Sequence, residues 1–222
     1  MPKCFKFQYE YIDEDGDEED REYRCYLDTK QCEANVARGN RRCHNQSVMG
    51  LPFCYSHTTS KLKLLIKPST RSVHDGKGVF AHNTVAEQGR VFQPDDEIVS
   101  LRGQKKTHAQ MKRRYGDLTK TDIPYGIRIS QNLWLDGACL RGIGMLINHA
   151  PTSRANCQLV AHNGRVAGTV RFTVIAIKNI NHGTELLMDW SRFQPWHRTS
   201  QTTHRTYDCK FTRSWDSKYQ DF

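Results

Sequence analysis

The sequence predicts a mostly β protein with a few short helices. Three observations lead there. Its candidate strands are short, β-branched and separated by Gly, Asp or Asn turns. Only one stretch reads clearly as helix, and no internal repeat or regular strand–helix alternation occurs, which excludes a parallel doubly wound sheet. The 222 residues allow one ordinary domain, or a domain of about 150 residues with a small appendage. With 37% hydrophobic and 26% charged residues, a packed core is within reach and the composition argues against whole-chain disorder.

The chain opens on an acidic stretch. Residues 1–22 hold nine acids and three bases, so the +9 of the whole chain leaves +15 on the remainder. A body that basic attracts polyanions or acidic surfaces; the arm either competes for the same patch or serves as a solubilising tail. Asp13, Glu14, Asp15, Gly16, Asp17 and Glu18 resemble a calcium loop only superficially, because the glycine is fourth and not sixth. The opening residues lack the apolar run and small-residue site of a signal peptide. The longest apolar stretch, 172–177, is far short of the ~20 residues of a membrane helix, so neither a membrane nor a secreted protein is expected.

Next come closely spaced cysteines. Cys32, Cys43 and Cys54 follow one another at intervals of ten intervening residues, and His57 lies two residues beyond Cys54. With no secretion signal, disulfides are a poor default for these cysteines. Thiolate and imidazole are the donors tetrahedral zinc prefers, and Cys54-x-x-His57 lets two of them face one ion. Gly39, Arg41, Arg42, Gly50 and Pro52 mark the intervening chain as polar loop, whose folding would rest largely on metal ligation. The alternative is ordinary thiols, with Cys25 or His44 as spare near-ligands. Arg38, Arg41 and Arg42 either touch a nucleic acid or acidic partner or are simply solvated.

From residue 61 onward strands dominate. Residues 61–67 alternate partly and stop at Pro68, as an edge strand does. Further strands are expected over 78–82, 97–101, 127–130, 133–135, 158–162 and 166–177. Residues 105–115 read as the helix, its Lys105, Lys106, Lys112, Arg113 and Arg114 forming a solvated basic face or, second, a nucleosome or nucleic-acid contact.

Four motifs in order resemble the SET domain of protein-lysine methyltransferases. They are Gly76-Lys77-Gly78-Val79-Phe80-Ala81; Glu97 through Leu101-Arg102-Gly103; Tyr125 through Leu135-Asp136-Gly137 to Ile147-Asn148-His149-Ala150 and Asn156-Cys157; and Gly183-Thr184-Glu185-Leu186-Leu187-Met188-Asp189-Trp190. The resemblance covers about residues 61–195. It implies small curved β-sheets with a pseudo-knot; the cysteine spacing adds a small zinc-binding module before them. The domains expected are an acidic arm (1–24), the zinc module (25–60), the SET domain (61–195) and a C-terminal tail (196–222) that either covers the cofactor or packs its aromatics, Trp196, Trp215 and Tyr219, on the core.

By resemblance, Gly76, Lys77, Gly78, Asn148 and His149 hold S-adenosyl-L-methionine. Glu185 is similar to the acid that ties the knot by hydrogen bonding. Tyr125 is a fold residue or, as the minority reading, a substrate contact. Two positions depart from the family: Trp190 and Leu101 stand where similar enzymes have tyrosines aimed at the lysine nitrogen. Indole keeps a π-face and one donor but has no acceptor. A Leu/Trp channel would desolvate lysine and favour its neutral, nucleophilic form.

The function expected is therefore a SET-type, S-adenosylmethionine-dependent lysine N-methyltransferase acting in the nucleus on a basic tail such as a histone's, with Zn2+ in the N-terminal module and a nucleosome or multiprotein chromatin complex as setting. The alternative is a SET-fold chromatin adaptor that binds without turnover. A third reading is a nucleic-acid module built on the zinc segment and the basic helix.

Overall fold

The computed structural model describes residues 3–12, 18–27, 30–36, 41–47, 51–71, 76–83, 89–119, 123, 125–140, 142–163, 170–191 and 193. The expected lid, with Trp196, Trp215 and Tyr219, lies outside them, as does Cys209. The acidic stretch forms a hairpin of strands β1 (Lys3–Ile12) and β2 (Glu18–Leu27), paired from Lys3↔Leu27 to Ile12↔Glu18.

The cysteine-rich segment is shaped by a miniature hairpin, β3 (Lys30–Gln31) against β4 (Gln46–Ser47). Its ladder continues irregularly through the Cys32 N–H to the Asn45 carbonyl (2.9 Å) and the Cys43 N–H to the Ala34 carbonyl (2.7 Å). Arg42 clamps the loop, donating to the carbonyls of Cys32 and Gln31 at 3.0 and 2.9 Å, so this guanidinium is already committed within the fold. Helix α1 (Tyr55–Leu62) follows and ends at Lys63 in the left-handed region (φ 55°).

The SET-like body begins with β5 (Leu64–Pro68), antiparallel to β6 (Lys77–Ala81). The chain continues through β7 (Arg90–Phe92), β8 (Glu97–Ser100) and β9 (Gln104–Thr107) into helix α2 (His108–Tyr115). Lys105 and Lys106 thus belong to a strand and not to the expected helix. Thr107 and Gln110 form a capping box that fixes the helix start after them. Arg114 also leaves the expected solvated face: it pairs with buried Asp136 at 2.5 Å, and the Tyr115 hydroxyl donates to the same carboxylate at 3.1 Å. Lys105, Lys112 and Arg113 remain exposed.

Strands β10 (Gly126–Arg128) and β11 (Leu133–Asp136) join β9 in a three-stranded sheet. A 3-10 turn (Ile143–Leu146) leads to β12 (Asn148–His149), then β13 (Cys157–Asn163), β14 (Val170–Ala176), β15 (Ile180–Asn181) and β16 (Leu187–Met188). The largest sheet has the order β12-β16-β13-β14-β8. Strand β16, last in sequence, sits between β12 and β13 and is parallel to both. This insertion is the pseudo-knot. Phe172, Val174 and Ala176 alternate toward the main core with Ile98, Leu101, Ile143, Ile147, Leu186 and Trp190. No helix among the described residues is long and apolar enough to cross a membrane.

Candidate active site and metal centre

Cys54 caps α1, which puts His57 in the first helical turn facing the loop that carries Cys32 and Cys43. The three sulfurs and a ring nitrogen of His57 lie within 4.8 Å of one another, with His57 Nδ1 3.4 Å from Cys32 Sγ and 3.3 Å from Cys54 Sγ. All three thiols are buried. This donor set, at this spacing, fits tetrahedral zinc. Asn45 Nδ2 approaches Cys54 Sγ at 3.8 Å, as donors behind a thiolate ligand do. Cys32, Cys43, Cys54 and Cys157 are free thiols, whereas Cys139 is disulfide-bonded although disulfides are a poor default for this sequence. Burial pushes the Cys157 thiol up to about 12, an inert group donating to the Leu187 carbonyl.

The glycine turn, the threaded strand and the final motif meet in one place. Gly76 is left-handed (φ 62°) and faces open space where a side chain would stand, so its backbone is approachable by a ligand. Gly78 serves differently. A Cβ there would lie 2.2 Å from Glu185 Oε1 and 3.2 Å from Asn148 Nδ2, so the missing side chain makes room for the protein's own carboxylate.

Glu185, only 7% exposed, is an acceptor hub. It receives the Ser69 hydroxyl (2.9 Å), the Thr70 N–H (3.2 Å) and hydroxyl (3.1 Å), and Asn148 Nδ2 (2.8 Å). Such an acid joins the segment after β5 to β12; it does not aim at solvent as a base would. Asn148 Nδ2 also lies 3.5 Å from the Lys77 carbonyl. His149 is half-buried; its carbonyl accepts from the Arg71 guanidinium and its Nδ1 accepts the Trp190 N–H at 3.2 Å. Next to it, burial raises the Asp189 carboxyl, but hydrogen bonds from Ser191 and Thr152 and the nearby His149 outweigh this and hold it at about 2.

The expected lysine end is apolar. Trp190 is 5% exposed and spends its indole N–H on the Ile147 carbonyl at 2.9 Å, leaving only ring surface to offer. The Ile147 N–H returns to the Gly144 carbonyl, and a Cβ on Gly144 would lie 3.0 Å from Leu101 Cδ1. Leu101 is buried in the same apolar cluster. Tyr125 packs on that cluster and adopts φ 58°, a strained conformation for a tyrosine. Its strand is stitched to the turn after Trp190 by the Arg128 N–H to the Phe193 carbonyl and the Phe193 N–H to the Trp190 carbonyl.

Sequence reasoning missed Ser69, Thr70 and Arg71, which carry no signal beyond preceding the glycine turn. It also missed the role of Asn156, whose amide donates to the Glu185 carbonyl at 2.8 Å and accepts the Leu187 N–H at 2.9 Å, holding the inserted segment by its backbone.

The SET domain family model matches residues 76–191, a little over half the chain, and the protein belongs to that family. Its similar relatives are histone-lysine N-methyltransferases described as H3 lysine-4 specific, from Aspergillus oryzae and Aspergillus fumigatus. Each is 26% identical over 162 residues, covering 71% of this chain and 11% of the relative. The chain thus spans about a tenth of the length of these relatives. Among solved structures, it is similar to an autoinhibited polycomb repressive complex 2 bound to S-adenosylmethionine (20% identity, 61% of this chain and 16% of that chain, TM-score 0.48) and to the Chaetomium thermophilum complex bound to GSK126 (21%, 61% and 17%, TM-score 0.48).

Proposed function

We propose that this protein is an S-adenosylmethionine-dependent lysine N-methyltransferase acting on a basic protein tail, in the nucleus and on histones or their chromatin complexes. The observation that supports it best is the convergence of the Gly76–Gly78 turn with Asn148, His149 and Glu185 in a chain of the SET family. In this reading the acidic arm covers 1–24, the zinc module 25–60, the SET domain 61–195 and the tail 196–222, with hairpin β1–β2 crossing the first boundary. Cys32, Cys43, Cys54 and His57 hold Zn2+ as a structural ion, since a fully protein-ligated site leaves no open position.

The cofactor, when bound, supplies an electrophilic methyl on a sulfonium. Open Gly76, the exposed Lys77 and the half-buried Asn148 and His149 provide an approachable backbone and polar groups for a charged nucleoside. On the far side, Leu101 and Trp190 desolvate the entering lysine ammonium, lowering its pKa so that the amine arrives neutral. The lysine ammonium would give its proton to solvent as it enters, and the part of Leu101 and Trp190 would be to hold the neutral amine in line with the methyl that such a cofactor would supply. Alignment supplies most of the acceleration, because no hydroxyl at position 101 or 190 points at the nitrogen.

The commitment of the Trp190 N–H to Ile147 favours a second reading, a SET-fold adaptor that binds tails without turnover. Calorimetry with S-adenosylmethionine and labelled-methyl transfer to mixed histones separate the two. The transferase requires cofactor binding weakened by His149→Ala, together with label on lysine. Cofactor binding with no transfer, and strong transfer restored by Trp190→Tyr, identifies a decayed site. No cofactor binding refutes the transferase.

A further inference from the structure

A groove of about 350 Å3 lies between the metal-binding loop and the SET body, apart from the glycine turn. Glu33 and the Pro52–Phe53 pair form the loop's contribution, and Glu33 is fixed there by its N–H to the Pro52 carbonyl at 2.8 Å. The SET body contributes β8, Arg102 and Ile143. Strand β8 is the end strand of the five-stranded sheet, and the residue after it is Leu101, at the expected lysine end.

We propose that this groove binds the basic segment flanking the target lysine, an extended peptide containing Lys and Arg. The inference rests on the reading of a basic tail as substrate. Charge selects this occupant. The chain as a whole is +9, yet two of the three charged groups lining the groove, Glu33 and Glu97, are acids. A nucleic acid is repelled here and drawn instead to the exposed cations Lys105, Lys112 and Arg113. The apolar floor suits the methylene stems of long cationic side chains, whose charged heads reach the carboxylates at the rim. The opening also suits length: a tail lying along β8 is carried toward Leu101 without leaving the protein surface.

The test uses the full chain and a fluorescein-labelled peptide alternating alanine with lysine and arginine, with anisotropy as binding readout. Glu33→Lys is expected to weaken binding about fivefold, while Arg102→Gln tightens it about twofold, at unchanged melting temperature. With a lysine substrate of the same charge, Glu33→Lys raises KM and leaves kcat alone. Opposite shifts from the two substitutions are what a purely structural role for this wall does not produce. The proposal is overturned if wild type fails to bind the peptide, if both variants bind as wild type does, or if both shift in the same direction. Methyl transfer persisting in those cases leaves the enzyme standing and removes only the groove. Charge-dependent binding with no transfer by any variant supports the groove and removes the enzyme.

Discussion

Replacing Gly78 by alanine places a Cβ 2.2 Å from Glu185 Oε1 and 2.9 Å from its Cδ, well inside contact distance. The carboxylate has little freedom to retreat, since Ser69 and Thr70 after β5 and Asn148 on β12 hold it from two sides. Displacing it forfeits about two hydrogen bonds to a charged acceptor, at about 1.5–3 kcal/mol each, so a loss of about 3–6 kcal/mol is expected. Gly76→Ala is the control: it meets open space and bears only the left-handed backbone penalty, about 1–2 kcal/mol. Urea unfolding monitored by circular dichroism measures both. A cycle with Glu185→Ala sharpens the result, because the Gly78→Ala penalty should largely vanish once the carboxylate is gone. Equal effects at the two glycines, or an undiminished Gly78→Ala penalty without Glu185, would refute the packing argument.

Three further outcomes are expected. Elemental analysis should find about one zinc per chain, and Cys43→Ser or a strong chelator should unfold the segment around α1 while zinc re-addition releases protons. Trp190→Phe leaves the buried Ile147 carbonyl without its donor and should cost about 1–3 kcal/mol in the same denaturation assay; no loss would show that the indole bond is dispensable. For Asp189, whose carboxyl is depressed to about 2, the stabilisation is fully present above its ordinary value near 4 and is lost as pH falls toward 2. The difference in stability between wild type and Asp189→Asn should therefore narrow across that acid window and stay constant above it.

Much of the architecture was readable because its signals are local. Gly-bounded β-branched runs gave β6, β8, β11, β13 and β14 within a few residues. Spacing alone singled out Cys32, Cys43, Cys54 and His57, the four side chains whose donor atoms cluster within 4.8 Å of one another, because a candidate donor set depends on side-chain identity at short range. Helix α1 went unread: YSHTTSKL is poor in strong helix formers, and Cys54-x-x-His57 looks like a turn until Cys54 is seen as the cap. The strand at Lys105–Lys106 was absorbed into α2, although Thr107 and Gln110 already spelled the helix start. Pairing of Asn148 with Leu187 joins distant segments in parallel, which no local periodicity encodes, and the hub around Glu185 follows from that pairing. For the same reason the groove at Glu33 was invisible: its two walls come from different parts of the chain.

Inserting β16 between two strands that precede it in sequence has a kinetic corollary. The β12 and β13 segments must be synthesised, and kept apart, before their middle neighbour exists, so chain assembly ends on a closing step of high contact order. A ribosome-bound intermediate lacking residues 185–190 would expose a slot flanked by two unsatisfied ladders, a natural client surface for chaperones. Refolding should accordingly be far slower than a protein of this size with only neighbouring strands paired.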